Sequence, residues 1–201
     1  MMYSDDDGKL AVRIARAAID SAVKGEEMPD MDIPKHFHEK SGAFVTLNTH
    51  PAHELRGCIG YPTPHFPLMI SILKGAEGAT QDPRFPPLRE DELDSIVVEV
   101  SLLTPPELIS VSSPEDYLKK VVIGRDGLVV ERGMNRGLLL PQVPVEWGWD
   151  VEEFLAHTCN KAGLPPSAWL DPSTKFYSFT GEIFTETEPR GGVTRKVLDG
   201  S

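Results

Sequence analysis

The sequence predicts an α+β fold in which mixed or antiparallel sheets carry packed helices. Segments with strand periodicity and segments with helix periodicity are intermixed along the chain. Some strands are joined by loops of hairpin length, which favours antiparallel pairing over a doubly wound parallel sheet. The length, 201 residues, suits one domain or one domain with two lobes, and such a chain buries roughly 70% of its unfolded surface.

Each element follows from its own signal. Leu10, Ile14, Ala17, Ala18 and Ala22 recur at helical spacing, which predicts a helix over about 9–23. Asp5 to Asp7 precede it at the positive end of the helix dipole, and Gly25 marks the stop. Residues 43–47 and 55–61 read as strands around a hairpin loop, and residues 67–79 as a helix with Leu68, Ile72 and Ala76 on one face. The prolines of 81–88 exclude helix interior and central strand, so this is a stiff loop. Residues 96–103 form an apolar strand broken only by Glu99 and Ser101, which predicts a central strand covered on both sides. Ser113 caps a short helix that opens at Pro114 and reaches about Lys120. Residues 127–131 and 136–140 pair around Gly133. Asp150 and Glu153 have the spacing of a capping box and open a helix that stops at Gly163. Residues 175–185 are the last strand, and 187–201 read as a flexible tail.

Composition excludes several function classes. Twenty basic against 31 acidic residues leave a net charge of −11, which argues against non-specific nucleic-acid binding, since that depends on neutralising phosphates. Two cysteines, Cys58 and Cys159, are too few for a disulfide framework or a four-thiolate zinc site, and point to a reducing compartment. No secretory leader and no apolar run of membrane-spanning length is present, so a cytoplasmic protein with no membrane partner is expected. There is no Walker-type loop, no strand-following G-x-G-x-x-G, no G-x-S-x-G elbow and no repeat of solenoid period. His36 and His38, and His50 and His53, lack the spacing of a helical zinc pair, so neither a metal nor a cofactor is predicted.

The most distinctive segment is Leu55-Arg56-Gly57-Cys58-Ile59-Gly60. Alternation along a strand turns Leu55, Ile59 and Tyr61 toward the core, and Arg56 and Cys58 to the opposite face. Gly57 and Gly60 there allow a second backbone or a ligand to approach closely. Two readings stay open. Arg56 lowers the pKa of Cys58 and makes it a nucleophile or a substrate holder, or Cys58 is a structural cysteine beside an arginine paired with Glu99. Glu99, in an apolar strand, needs a partner such as Arg56 or Arg84, or else is a general acid or base with a pKa raised by burial. Asp82 and Arg84, held by Pro83, Pro86 and Pro87, either present an anion-binding guanidinium or pair locally. Gln142 and Arg136 flank an apolar strand and either reach the cleft or are solvated strand ends. His50 or His53 is a candidate base for Cys58. Cys159 shares a helix face with Leu155 and reads as core.

That hexapeptide resembles the signature of the AMMECR family, whose human member is named for the Alport syndrome, midface hypoplasia, intellectual disability and elliptocytosis region. Segments at 82–88, 99–101, 136–143, 153–155, 159–164 and Trp169 resemble the same family in the same order. The resemblance implies a single α+β domain over 1–201, with two lobes and a cleft near the hexapeptide, and it implies no settled reaction. Association of prokaryotic relatives with Memo-like and radical-SAM proteins hints at an enzyme system. Two functions are therefore expected. One is an enzyme or enzyme subunit holding a small anionic substrate through Arg56, Cys58 and Glu99, with Gly57, Gly60, Asp82, Arg84 and Gln142 around it. The other is a regulatory module that binds a protein partner or, less favoured, nucleic acid.

Overall fold

The computed structural model describes residues 3–196, and they divide into two compact units. The first runs through Leu103 and resumes at Glu182; the second runs from Thr104 to Gly181.

The first unit opens with helix α1 (Asp5–Lys24). It begins four residues before the expected start because Ser4 and Asp7 form a capping box, with Asp7 N–H donating to Ser4 Oγ at 3.1 Å and Ser4 N–H to Asp7 Oδ2 at 2.8 Å. Apolar periodicity registers only from Leu10. Gly25 ends the helix in the left-handed region at φ 69°. Strands β1 (Ala43–Thr49) and β2 (Leu55–Tyr61) form the expected hairpin, followed by helix α2 (Leu68–Thr80) and strand β3 (Ile96–Leu103).

The second unit contains strand β4 (Glu107–Leu108), a 3-10 turn leading into helix α3 (Tyr117–Lys120), strands β5 (Asp126–Arg132) and β6 (Asn135–Leu139), and helices α4 (Gln142–Trp147) and α5 (Val151–Lys161). Neither β4 nor α4 carries a sequence signal. The first has two residues, and the second is a six-residue helix whose Pro144 lies in the first turn, where no N–H is needed. The Asp150–Glu153 box caps α5 through bonds of 3.0 and 2.9 Å. Strand β7 (Lys175–Glu186) starts in the second unit and ends in the first.

Of the segment read as a tail, the described residues 187–196 include regular structure. Val193–Lys196 form strand β8, antiparallel to β7 over Ile183↔Lys196 to Glu186↔Val193. The segment is polar, so periodicity misses it; its support comes from ion pairs. Arg195 bonds Asp5, Glu182 and the Tyr3 carbonyl, and Arg190 bonds Asp20 and Asp94. Residues 197–201 lie outside the described residues.

The sheet of the first unit has the order β2-β1-β3-β7, with β8 on β7. Its buried face carries Ala43, Val45 and Leu47 from β1 and Val98, Val100 and Leu102 from β3. These pack with Ile14 and Ile19 of α1 and Leu68 and Ile72 of α2. Arg16 is buried within this layer. It donates to Glu186, to the Leu93 carbonyl at 3.0 Å and to the Ile96 carbonyl at 2.8 Å, while Glu186 also accepts from Val98 N–H at 2.9 Å. The charge is fully paired, as a buried charge must be. β3 is central, but it is not covered equally on both faces: Glu99 and Ser101 alternate onto a half-buried polar face. The sheet of the second unit, β6-β5-β7-β4, packs Leu128, Val130 and Phe176 against Phe154, Leu155 and Trp169.

Candidate functional site

Register places the candidate residues of the first unit. Thr46 lies opposite Cys58 on one side of β1 and opposite Glu99 on the other. Opposed residues project to the same face, so Cys58, Thr46 and Glu99 form one row across three strands. Thr46 Oγ1 donates to Cys58 Sγ at 3.2 Å, so the thiol's partner is a hydroxyl rather than His50 or His53. Cys58 and Glu99 are two strand spacings apart, roughly 10 Å. That exceeds the reach of direct proton transfer. Lys196 Nζ donates to Glu99 Oε2 at 3.1 Å. The partner of Glu99 is therefore neither Arg56 nor Arg84, but a lysine from β8.

Arg56 has a different partner from the one expected. The β1–β2 register shifts between Leu47 and Asn48: Leu47 pairs with Gly57, and Asn48 with Leu55. Arg56 is the extra residue of this bulge. The shift breaks the alternation and leaves Leu55 42% exposed instead of in the core. Arg56 Nε and Nη2 donate to the two carboxylate oxygens of Glu92 at 2.8 and 3.0 Å. This fork holds the Glu92 carboxyl below its ordinary pKa, chiefly through the side-chain hydrogen bonds. Arg56→Ala and Glu92→Ala are each expected to cost about 1–2 kcal/mol in urea unfolding, with a coupling of about 0.5–1 kcal/mol in the double variant. Strictly additive losses would show that the pair contributes nothing as a pair.

Asp82 and Arg84 pair locally. Asp82 is 2% exposed. Its carboxylate accepts from Arg84 N–H at 3.1 Å, Arg84 Nε at 3.0 Å, Arg84 Nη2 at 2.6 Å and Cys58 N–H at 2.9 Å. Arg84 Nη2 also donates to the Cys58 carbonyl at 3.3 Å. β2 is an edge strand, so the two side chains occupy the outward peptide groups of Cys58 as a neighbouring strand would. The hydrogen bonds from Arg84, then the one from Cys58 N–H, hold Asp82 well below the usual carboxylate range.

Burial is the largest influence on the Cys58 thiol and pushes its pKa up. The Thr46 hydrogen bond and the Arg84 charge act downward, while Asp82 and Glu99 act upward. Arg56, the expected activator, is spent on Glu92. Cys159 is fully buried in the core of the second unit, and burial raises its thiol to about 11. Both cysteines are free.

The glycines of the hexapeptide are explained by the chain's own packing. A Cβ on Gly57 would stand 2.3 Å from the Ala79 carbonyl oxygen of α2. A Cβ on Gly60 would meet the Phe44 ring at 2.3 Å and the Ala43 carbonyl oxygen at 2.6 Å. On the α2 side, Ile59, Tyr61, Lys74, Glu77, Gly78 and Gln81 line an open depression of about 410 Å³.

Gln142 is not among the residues gathered in the first unit. It is the half-buried first residue of α4, in the second. Arg136, also in the second unit, pairs with Glu131 across β5 and β6, Nε to Oε1 3.3 Å. Among the described residues no cluster of three His, Cys, Asp or Glu side chains could hold a metal ion. The sequence reading missed Thr46, Glu92 and Lys196. Thr46 was within reach of counting along the hairpin, whereas the contacts of Glu92 and Lys196 span 36 and 97 residues and have no local signal.

Comparison with known proteins decides the lineage. The family model described as AMMECR1 matches residues 12–184. The chain belongs to the AMMECR1 family. Protein MJ0810 of Methanocaldococcus jannaschii is 57% identical over 194 residues, covering 96% of each chain. Protein PYRAB00100 of Pyrococcus abyssi is 58% identical over 200 residues, covering 96% of this chain and 97% of that one. The crystal structure of the uncharacterised protein PH0010 from Pyrococcus horikoshii superposes with a TM-score of 0.79 at 56% identity, over 95% of this chain and 97% of that one. The α+β architecture is thus that of an AMMECR1 protein. None of these names carries an activity. No helix of the described residues is long and apolar enough to cross a membrane.

Proposed function

We propose that this AMMECR1 protein is a binding module, and that its hexapeptide strand forms part of a recognition surface for a protein partner. The observation that carries this reading is that each charged group of the candidate set already has its counter-charge. Arg56 is spent on Glu92, Arg84 on Asp82, and Glu99 on Lys196. An anion site would keep a guanidinium free, and a nucleophilic thiol would be held below its ordinary pKa. Burial acts on Cys58 in the opposite sense. The depression beside β2, with Tyr61, Lys74, Glu77 and Gln81 at its rim, has the mixed polar and aromatic character of a transient protein interface. The alternative, an enzyme acting on a small anion, has no free cation in this set to favour it. Memo-like and radical-SAM proteins are the partners to try first, on family resemblance alone.

The test is the pH dependence of iodoacetamide alkylation at Cys58 in a Cys159→Ser background. The expected result is slow alkylation with an apparent pKa above that of a free thiol, about 8.5. A fast reaction with a plateau well below that pH would overturn the binding reading and restore the nucleophile. Capture of a candidate partner should survive Cys58→Ser and fall with Lys74→Glu.

A further inference from the structure

We infer that the second unit carries a docking surface for an arginine-bearing segment of a protein partner, built from a ladder of stacked aromatic rings on an acidic stretch of the chain. Trp147, the last residue of α4, is 70% exposed, and Val145 beside it is 49% exposed. An indole is among the most costly side chains to leave in water, and its exposure points to a contact made elsewhere. The rings are ordered. Trp147 stacks on Trp149 with centroids 6.1 Å apart and planes 19° apart. Trp149 stacks in turn on His157 of α5 at 3.8 Å and 7°. The inner rings hold the platform in place, and the outer indole is presented to solvent.

Charge selects the occupant. Between Arg136 and Lys161 the sequence has no lysine or arginine and four carboxylates. Asp150 and Glu153 are engaged in the α5 capping box. Glu146, next to Trp147, and Glu152, in the first turn of α5, have no hydrogen-bond or ion-pair partner among the described residues. An exposed π-face on a segment that carries unpaired carboxylates and no cation attracts a cation twice over, through the ring quadrupole and through Coulomb attraction. The same setting repels a phosphate backbone. Arginine fits better than lysine because its planar, weakly hydrated guanidinium stacks on an indole while its N–H groups still reach carboxylates. This surface involves none of the residues of the β2 reading, so the two proposals stand or fall separately.

The experiment is calorimetric titration of the full chain with an acetylated and amidated hexapeptide of alternating arginine and glycine. Lysine and glutamine versions of the peptide are run beside it. The arginine peptide is expected to bind, the lysine peptide several-fold more weakly, and the glutamine peptide not measurably. Trp147→Ala should weaken the arginine peptide about tenfold. Trp147→Phe should retain part of the affinity; residue 147 is exposed, so each variant loses at most the stack on Trp149 and should stay folded at the titration temperature, which its far-UV circular dichroism checks. Replacing Glu146 and Glu152 with glutamine should weaken binding and flatten its salt dependence. Three results would overturn the inference: no binding of the arginine peptide, equal binding of the glutamine peptide, or binding indifferent to Trp147→Ala.

Discussion

Asp82→Ala is expected to destabilise the first unit by about 3 kcal/mol, the loss expected when several charge-assisted hydrogen bonds go and a peptide group is left unpaired. The carboxylate is 2% exposed and accepts four hydrogen bonds, one of them from Cys58 N–H. Alanine removes all four. Arg84 can turn to water, because its side chain is 56% exposed; Cys58 N–H has no such freedom. Arg84→Ala should therefore cost clearly less than Asp82→Ala, and that order is the check on the clamp. Asp82→Asn does not rescue it, since an amide presents a donor where the carboxylate has a second acceptor. The pH dependence has a definite sign. Asp82 is held below its ordinary pKa in the folded state, so its contribution is complete above the unfolded carboxyl pKa, about 3.9. It fades as the pH falls from there toward the lower folded value. Urea unfolding should give a gap between wild type and Asp82→Ala that is constant from pH 5 to 8 and narrows below about pH 4. A gap that widens on acidification would mean that the carboxylate is not the stabilising form. Loss of the clamp also frees the edge of β2, so the variant should aggregate more readily.

Strands β1, β2, β3, β5, β6 and β7 and the long helices were legible because each has a local signal. β2 and β3 occupy the residues read for them, 55–61 and 96–103, and Gly25 and the Asp150–Glu153 box set helix ends where expected. What was not legible depends on partners distant in sequence. The bulge that displaces Arg56 arises from pairing with β1, and its carboxylate comes from a 3-10 turn 36 residues away. β8 has no apolar pattern and is held by Arg190 and Arg195 bonding residues at the other end of the chain. The candidate site was legible as a set of positions but not as a set of pairs. Charge pairing is what separates an anion site from a packed strand, and alternation along β2 carries no information about it.

Gly57→Ala should be equally damaging, at about 3 kcal/mol, for a reason that bears on what the hexapeptide is for. The new methyl would sit 2.3 Å from the Ala79 carbonyl oxygen and 3.3 Å from its carbon. Backbone cannot rotate away as a side-chain tip can, so α2 must shift. That helix carries Leu68, Ile72, Ala76 and Ala79 into the core, where small displacements forfeit close packing. A loss of this size lowers Tm by about 6–12 °C for a chain near 200 residues. Gly133→Ala is the natural control. Gly133 has φ +60° and nothing within 4 Å of an added Cβ, so only the left-handed backbone opposes alanine, at about 1 kcal/mol. Scanning calorimetry of the two variants separates the explanations. If Gly57 is there to admit α2, its variant melts far below the Gly133 variant. If it is there to admit a ligand, the two melt alike, and the damage at Gly57 appears in binding instead. The close approach of Ala79 favours the first outcome, and with it a hexapeptide whose glycine serves helix–sheet packing while recognition falls to the side chains around it.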